Sequence, residues 1–193
     1  MAIILITLSF LFPIQKNAEA KASKDFVIEN NVLVRYTGDE EVVTIPDGVQ
    51  KIADEVFKYC DITKVIIPNS VKEIGEAAFE DCIYLTEIKF GTSVTTIGAE
   101  AFKDCSKLES VSFPKSLKEV CANSFENTPW FNNLRDNETL VIVDGILLYG
   151  GKAKGNITIP NTVKAIADSA FLLNYNLTSV TIPDSVTVIS SRA

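Results

Sequence analysis

Histidine is absent from this chain of 193 residues, and its absence excludes several classes of site. Without histidine there is no His-dependent catalytic triad, no His-ligated metal centre and no imidazole general base. Basic residues are also scarce, with 18 Lys and Arg against 25 Asp and Glu and a net charge of -7. Because nucleic acid is bound by clustered Lys and Arg that displace counterions, it is not expected as a partner. The four cysteines are too few for a disulfide scaffold.

The N-terminal residues 2–14 are almost wholly apolar. This run is too short for a membrane span of about 20 residues and is typical of the core of a secretory signal. Small residues follow it, so we predict a signal peptide at residues 1–20, with cleavage after Ala20 or Ala22. A buried N-terminal strand or helix is the alternative. No later apolar run is as long, which predicts a secreted or cell-surface protein with no integral membrane span after cleavage.

A unit of about 23 residues repeats along the rest of the chain. Its marks are a proline that ends a short apolar run and a phenylalanine that follows at a fixed distance. The prolines are Pro46, Pro68, Pro114, Pro160 and Pro183, and the phenylalanines are Phe57, Phe79, Phe102, Phe125 and Phe171. Copies in a common register indicate a repeat protein in which each unit is one structural coil.

One copy shows how the coil is built. Ile88 and Phe90 alternate with polar residues, a period of two that predicts a strand with one buried face. Residues 94–98 are predicted to return along the other side of the coil, and residues 99–102 to form a single helical turn. One coil cannot bury its own apolar face, but stacked coils can. The sequence therefore predicts a β-solenoid of about six coils, mainly β with short helical turns.

The elements of the unit resemble the repeats of the BspA-type leucine-rich repeat surface proteins. They are the I-P, V-x-x-I-G and A-F-x-x-C elements, found for example at residues 67–68, 71–75 and 78–82. The resemblance covers residues 26–193 and implies a leucine-rich-repeat solenoid used for adhesion or protein binding at the cell surface. After the signal peptide we therefore expect one repeat domain, residues 21–193, whose last coil is incomplete.

Two segments interrupt the period, and both are predicted to be β-hairpin insertions. Residues 26–38 carry Asn-Asn between apolar runs, and residues 127–151 carry Asp144-Gly145 between two runs of β-formers. Both lead into an I-P strand, so a unit of hairpin plus coils occurs twice, offset by about 113 residues. The segment Pro129-Trp130-Phe131 has two interpretations, a ligand platform or packing over the solenoid edge, and we favour packing.

Cys60, Cys82 and Cys105 occupy one position of the repeat, which Asn174 takes in a later coil. Because both residue types can hydrogen-bond to turn backbone, a structural ladder is predicted rather than disulfide bonds. Cys121 falls in a column of small residues and is predicted to be a buried packing residue. The pattern marks no activated nucleophile and no catalytic carboxylate pair. We therefore expect a non-catalytic protein with no cofactor and no metal site.

The outward positions of the predicted strands form the candidate partner-binding face. They are mostly small and polar, no core packing explains them, and repeat solenoids bind partners on such extended faces. The face consists of Thr44, Lys64, Ile66, Glu87, Lys89, Ser110, Ser112, Asn156, Thr158, Ser179 and Thr181. The expected partner is a protein or another host or cell-surface ligand. The alternatives are a structural spacer and the repeat region of a larger surface enzyme.

Overall fold

The computed structural model describes residues 24–193. The predicted signal peptide, residues 1–20, therefore lies outside the described residues. Short strands of two to five residues alternate along the chain between two sides of a solenoid. The first nine are β1 Phe26–Glu29, β2 Val32–Tyr36, β3 Val42–Thr44, β4 Lys51–Ile52, β5 Lys64–Ile66, β6 Glu73–Ile74, β7 Glu87–Lys89, β8 Thr96–Ile97 and β9 Glu119–Val120.

A helix separates these strands from a second series built on the same plan. The helix, α1, covers Pro129–Asn137. The strands that follow it are β10 Val141–Val143, β11 Ile146–Tyr149, β12 Gly155–Thr158, β13 Ala165–Ile166, β14 Leu177–Thr181 and β15 Val188–Ile189. Within residues 24–193, no helix is both long enough and apolar enough to cross a membrane.

The coils stack through parallel strand pairs that are shifted by one repeat. Sheet I contains β3, β5 and β7, and sheet II contains β1, β2, β4, β6, β8 and β9 in that order. In the second series, sheet III contains β10, β11, β13 and β15, and sheet IV contains β12 and β14. Ile52 pairs with Ile74, and Ile74 pairs with Ile97. Each side chain thus lies beside its repeat counterpart, which confirms the predicted solenoid.

The third side of each coil is a turn segment that is also hydrogen-bonded from coil to coil. For example, the Phe102 N–H donates to the Ser124 carbonyl at 2.8 Å. Glu100 and Asp104 have φ of 57° and 59°, in the left-handed region, so the helical turn predicted for residues 99–102 is wrong. A helical turn would direct its N–H groups along its own axis. Here alternate N–H groups are turned towards the neighbouring coil instead.

The core consists of two apolar clusters, and the larger one has a stack of aromatic rings at its centre. The ring centroids of Phe57, Phe79 and Phe102 follow one another at 4.8 and 5.0 Å, with interplanar angles of 4°. Phe125 continues the stack at 5.3 Å from Phe102. All four rings are buried, which confirms the predicted phase of the repeat. Because each ring is covered by the ring of the next coil, one coil alone has an incomplete core.

The two predicted hairpins are both present, and each starts one half of the solenoid. β1 pairs antiparallel with β2, and β10 pairs antiparallel with β11. Asp144 and Gly145 have φ of 49° and 83°, positive as a type I′ turn requires, and the turn of the first hairpin is also positive. β2 then pairs in parallel with β4, as β11 does with β13. We call residues 26–126 module 1 and residues 141–193 module 2.

Helix α1, which links the two modules, is not predicted by the repeat pattern. Thr128 caps its N-terminus, because its Oγ1 accepts a hydrogen bond from the Phe131 N–H at 3.1 Å, and a proline occupies the first turn. Trp130 and Phe131 are buried, and the Trp130 ring lies edge-on to Phe125 at 5.0 Å. The packing interpretation of this aromatic segment is therefore confirmed.

The cysteine column bonds to the turn backbone, as predicted. Cys82 Sγ donates to the Phe57 carbonyl at 3.1 Å, and Cys105 Sγ donates to the Phe79 carbonyl at 3.2 Å. Asn174 Nδ2 plays the same part in module 2, where it donates to two carbonyls. All four cysteines are free thiols, so the column is a hydrogen-bonded ladder and not a disulfide ladder.

Candidate binding surface

The predicted face residues lie on the solvent side of the solenoid. In sheet I the middle residues of the strands, such as Val43 and Val65, are buried, and the residues on either side of them point outward. Lys64 and Ile66 are half-buried, and the other nine predicted residues are exposed. For the residues on strands, this exposure agrees with the alternation read from the sequence.

The face is divided into two patches rather than forming one continuous sheet. The N-terminal patch, on sheet I, consists of Thr44, Lys64, Ile66, Glu87 and Lys89, and the C-terminal patch, on sheet IV, consists of Asn156, Thr158, Ser179 and Thr181. Ser110 and Ser112 are exposed but lie outside any strand. Just after them, the Phe113 N–H donates to the Asp144 carboxylate at 3.2 Å, which ties this segment to the second hairpin.

The N-terminal patch carries both signs of charge. Lys64 Nζ lies 2.7 Å from a Glu87 carboxylate oxygen, across two strands that place these residues in register. Lys89 has no ion-pair partner within residues 24–193. It stands in register with Ile66, which stands in register with Thr44. The patch thus presents one unpaired ammonium group beside an aliphatic side chain and a hydroxyl.

The C-terminal patch is polar and uncharged. Ser179 Oγ donates to Asn156 Oδ1 at 2.9 Å, and Thr158 stands in register with Thr181. Neither β12 nor β14 contains an acidic or basic residue. The two patches therefore differ in chemistry, with ionic and aliphatic groups on one and hydroxyl and amide groups on the other.

The turn side holds a further group of charges, which forms an ion-pair network. The buried Glu80 carboxylate lies 2.7 Å from Lys58 Nζ and 3.4 Å from Lys103 Nζ. The hydrogen bond from Lys58 holds the pKa of Glu80 below its ordinary value. The carboxylates of Asp81 and Asp104 lie close by. Because two ammonium groups already bind Glu80, the fold itself accounts for this acidic cluster.

A cleft of about 170 Å³ lies where module 2 meets the last coil of module 1, and we call it the junction cleft. One wall is the turn segment 120–126, and the other is formed by residues 167–169 and Leu172. Phe131 of α1 and Tyr149 of β11 also line it. The repeat pattern does not predict this cleft, because no repeat position encodes it. The one available signal was the interruption of the period at residues 127–151.

Cys121 lines the junction cleft and is half-buried, in contrast to the buried position predicted for it. Among its repeat counterparts, Ala53 and Gly98 are also half-buried, and Gly75 and Ala167 are buried. Burial nevertheless raises the pKa of the Cys121 thiol to about 11. The thiol is therefore protonated at neutral pH and is a poor nucleophile.

The solved structures most useful for comparison are bacterial. A leucine-rich repeat protein of T. pallidum is 23% identical, with 89% of this chain and 81% of that chain aligned at a TM-score of 0.51. A leucine rich cell surface protein of Faecalibacterium prausnitzii is 30% identical, with 86% of this chain and 43% of that chain aligned at a TM-score of 0.52. This chain thus spans less than half the length of the second protein.

Comparison with protein families gives the same assignment from sequence. No curated protein matches the chain. The family model of the BspA type leucine rich repeat region matches it in six copies, over residues 28–146 and 147–193. Since the match covers both modules and their shared repeat, this chain belongs to the BspA type leucine-rich repeat family.

Proposed function

We propose that this chain is a non-catalytic, adhesive module at the cell surface whose N-terminal and C-terminal patches bind a protein partner. The observation that carries the proposal is the outward row of Thr44, Ile66 and Lys89. These residues stand in register on adjacent strands, and no packing requirement accounts for them. Extended faces of this kind are the binding surfaces of repeat solenoids.

Two observations support a location outside the cell. The F. prausnitzii protein is described as a cell surface protein. Residues 1–20 of this chain have the apolar run and the small residues that are typical of a secretory signal. A secreted repeat domain can present its full face to partners on another surface.

The chemistry of the side chains supports binding rather than catalysis. Burial raises the pKa of all four cysteine thiols, so little of the nucleophilic thiolate is present at neutral pH. The sequence contains no histidine that could activate a thiol or a hydroxyl as a general base.

The size of the face predicts weak binding by a single copy. Three strands of three residues in sheet I and strands of four and five residues in sheet IV, at about 4.8 Å spacing and ~3.3 Å per residue, give roughly 290 Å² of projected face. A standard protein interface takes about 800 Å² from each partner. Firm attachment therefore requires many copies on one surface, which raises the avidity without new contacts.

Reversal of charge on the N-terminal patch tests the proposal. The variant combines Lys64→Glu with Lys89→Glu, and beads carrying many copies are assayed for attachment to cultured epithelial cells. The matched control combines Lys72→Glu with Lys118→Glu, two exposed lysines outside both patches, so the net charge changes equally. We expect at least a tenfold loss of attached beads for the patch variant, equivalent to about 1.4 kcal/mol.

The Lys72→Glu, Lys118→Glu control distinguishes a specific effect of the patch from an effect of net charge. Equal loss for both pairs would indicate attraction by overall charge, and the patch assignment would be wrong. Attachment unchanged in both variants would favour the structural spacer, in which the solenoid holds another domain away from the surface.

A further inference from the structure

The junction cleft interrupts a hydrogen-bond ladder that links the turn segments of module 1 from residue 55 to residue 126. In the coil before it, the N–H groups of Glu100, Phe102 and Asp104 donate to carbonyls of the next coil at 3.0, 2.8 and 2.9 Å. The next turn segment has the same backbone shape, since Asn123 and Asn127 have φ of 56° and 60°. Its alternate N–H groups are therefore presented towards module 2 in the same way.

Those N–H groups belong to Asn123, Phe125 and Asn127. Within residues 24–193, none of these three main-chain N–H groups donates a hydrogen bond. Asn123 and Phe125 line the junction cleft, and Asn127 follows them in the same row. One wall of the cleft is thus a set of main-chain donors whose counterparts in every earlier coil are paired.

The opposite wall offers main-chain acceptors. In module 1, the carbonyls of alternate turn residues accept hydrogen bonds from the preceding coil. Positions 168, 170 and 172 are the corresponding positions in module 2. The Ala170 carbonyl already accepts from the Gly150 N–H at 2.7 Å. The carbonyls of Asp168 and Leu172 accept no hydrogen bond from the described residues. Donors on one wall and acceptors on the other leave the arrangement that a missing strand would fill.

Two hydrogen bonds join the walls at one end of the cleft. There the Asp168 N–H donates to the Val120 carbonyl at 3.2 Å, and the Asp168 carboxylate accepts from the Ala122 N–H at 3.3 Å. Among the described residues, no other hydrogen bond joins these two turn segments. The cleft is therefore a defined gap between two anchored walls.

Charge in the cleft is balanced by pairs already formed. The Asp168 carboxylate lies 3.0 Å from the Arg192 guanidinium, and the Glu126 carboxylate lies 2.7 Å from the Arg135 guanidinium. Neither a free anion nor a free cation is favoured there. What remains suitable is a short, neutral ligand that both accepts and donates, which describes a peptide main chain.

We propose that the junction cleft binds an extended segment of a partner polypeptide, which completes the interrupted ladder. The carbonyls of the segment accept from Asn123, Phe125 and Asn127, and its N–H groups donate to Asp168 and Leu172. Strand addition of this kind obtains affinity from the main chain and selectivity from pockets for alternate side chains. No face residue lines the cleft, so this site does not depend on the function proposed for the two patches.

Amide hydrogen exchange in the full chain tests the open ladder. Phe102 and Phe125 are repeat counterparts with buried rings, but only the Phe102 N–H has an acceptor within the described residues. We expect the Phe125 amide to exchange at least tenfold faster than the Phe102 amide. Equal protection of the two amides would show that the ladder is closed, and the proposal would be overturned.

Peptide selection tests the ligand. A random seven-residue peptide library is selected on the full chain and counter-selected on Leu172→Trp, which fills the cleft from its rim. The control, Leu173→Trp, places the same ring one residue further on, outside the cleft. Leu172 and Leu173 are 51% and 70% exposed, so both variants should fold.

The selected peptides should bind the unmodified chain and Leu173→Trp alike, and lose at least tenfold in affinity for Leu172→Trp. They should also slow exchange at Asn123, Phe125 and Asn127. Failure to enrich any peptide over the counter-selection would refute the peptide site, as would equal binding to Leu172→Trp. Either outcome leaves the charge-reversal result for the patches unaffected.

Discussion

A single ring of the aromatic stack holds three coils together. Phe102 lies between Phe79 and Phe125 at 5.0 and 5.3 Å, and it also meets Phe90 edge-on at 6.0 Å. We expect Phe102→Ala to lower the free energy of unfolding by about 3–5 kcal/mol through the cavity it leaves. Lys89→Ala, on the exposed face, should change it by less than about 0.5 kcal/mol. Urea midpoints measure both, and equal midpoints would contradict the central place of this ring.

Glu80 should make stability depend on pH in the acid range. Its pKa is lowered in the folded state from the ordinary value of 4.5, first by the hydrogen bond from Lys58 and also by Lys103. A lowered folded pKa stabilises the protein fully above the unfolded value, and this contribution is lost as the pH falls through the folded value. We expect Glu80→Gln to be less stable than the unmodified chain at pH 7, with the difference shrinking below about pH 4.

Chemical denaturation at pH 7 and at successively lower pH measures this difference. The control is Glu76→Gln, which changes an exposed glutamate on the same turn segment. A Glu80→Gln penalty that stays constant down to pH 3 would show that the carboxylate acts by shape alone.

Among the elements, the strands and hairpins were predictable and the turn segments were not. Ile74, for example, pairs with its repeat counterparts Ile52 and Ile97. The need for a buried apolar side chain at this position therefore recurs in every copy of the repeat. The turn segment 99–104 contains good helix formers, which favour a helical turn locally. The neighbouring coil overrides that preference, because its carbonyls accept hydrogen bonds from the alternate N–H groups. This pattern requires residues in the left-handed backbone conformation.

Elements that occur once had no repeat to reveal them. Helix α1 does carry local signals, a Thr at the N-cap followed by Pro, and these could have been read. The break between Lys89 and Ser110 in the outward face could not. Beside it, the Phe113 N–H bonds to the Asp144 carboxylate. These residues are far apart in sequence, and only the folded chain brings them together.

Thr128 should be a sensitive position for helix α1. The side chain is fully buried, donates to the Phe125 carbonyl at 2.8 Å and accepts from the Phe131 N–H. We expect Thr128→Ala to cost about 1–2 kcal/mol, because it removes the cap and leaves a buried N–H unpaired. Thr128→Ser keeps the hydroxyl and should recover most of the loss. Thermal unfolding measures both, and an equal cost for Ala and Ser would assign the effect to the lost methyl group.

At the scale of the whole molecule, stability should vary along the solenoid axis. Coils in a solenoid contact only their neighbours, so an interior coil is held from two sides. Gly98 and Ser190 occupy the same repeat position, and their N–H groups donate to Ile74 and Ile166 at 2.8 and 3.0 Å. β8 lies between two strands of sheet II, whereas within residues 24–193 β15 pairs only with β13, and its Ile189 is 57% exposed.

We therefore expect the Ser190 amide to exchange at least tenfold faster than the Gly98 amide, although both are hydrogen-bonded. Native-state hydrogen exchange followed by NMR reports this local opening. Equal rates for the two amides would instead indicate that the solenoid opens as one cooperative unit.

The direction of the coil-to-coil hydrogen bonds also determines how the protein responds to force. The bonds of all three sides run along the solenoid axis, so tension on one end of the chain loads the outermost coil first. Its hydrogen bonds then break one row after another, while the coils behind it carry little load. Each coil of about 23 residues would release up to roughly 80 Å of extended chain. An array of such coils would lengthen in steps under drag, before the attachment proposed for its face is strained.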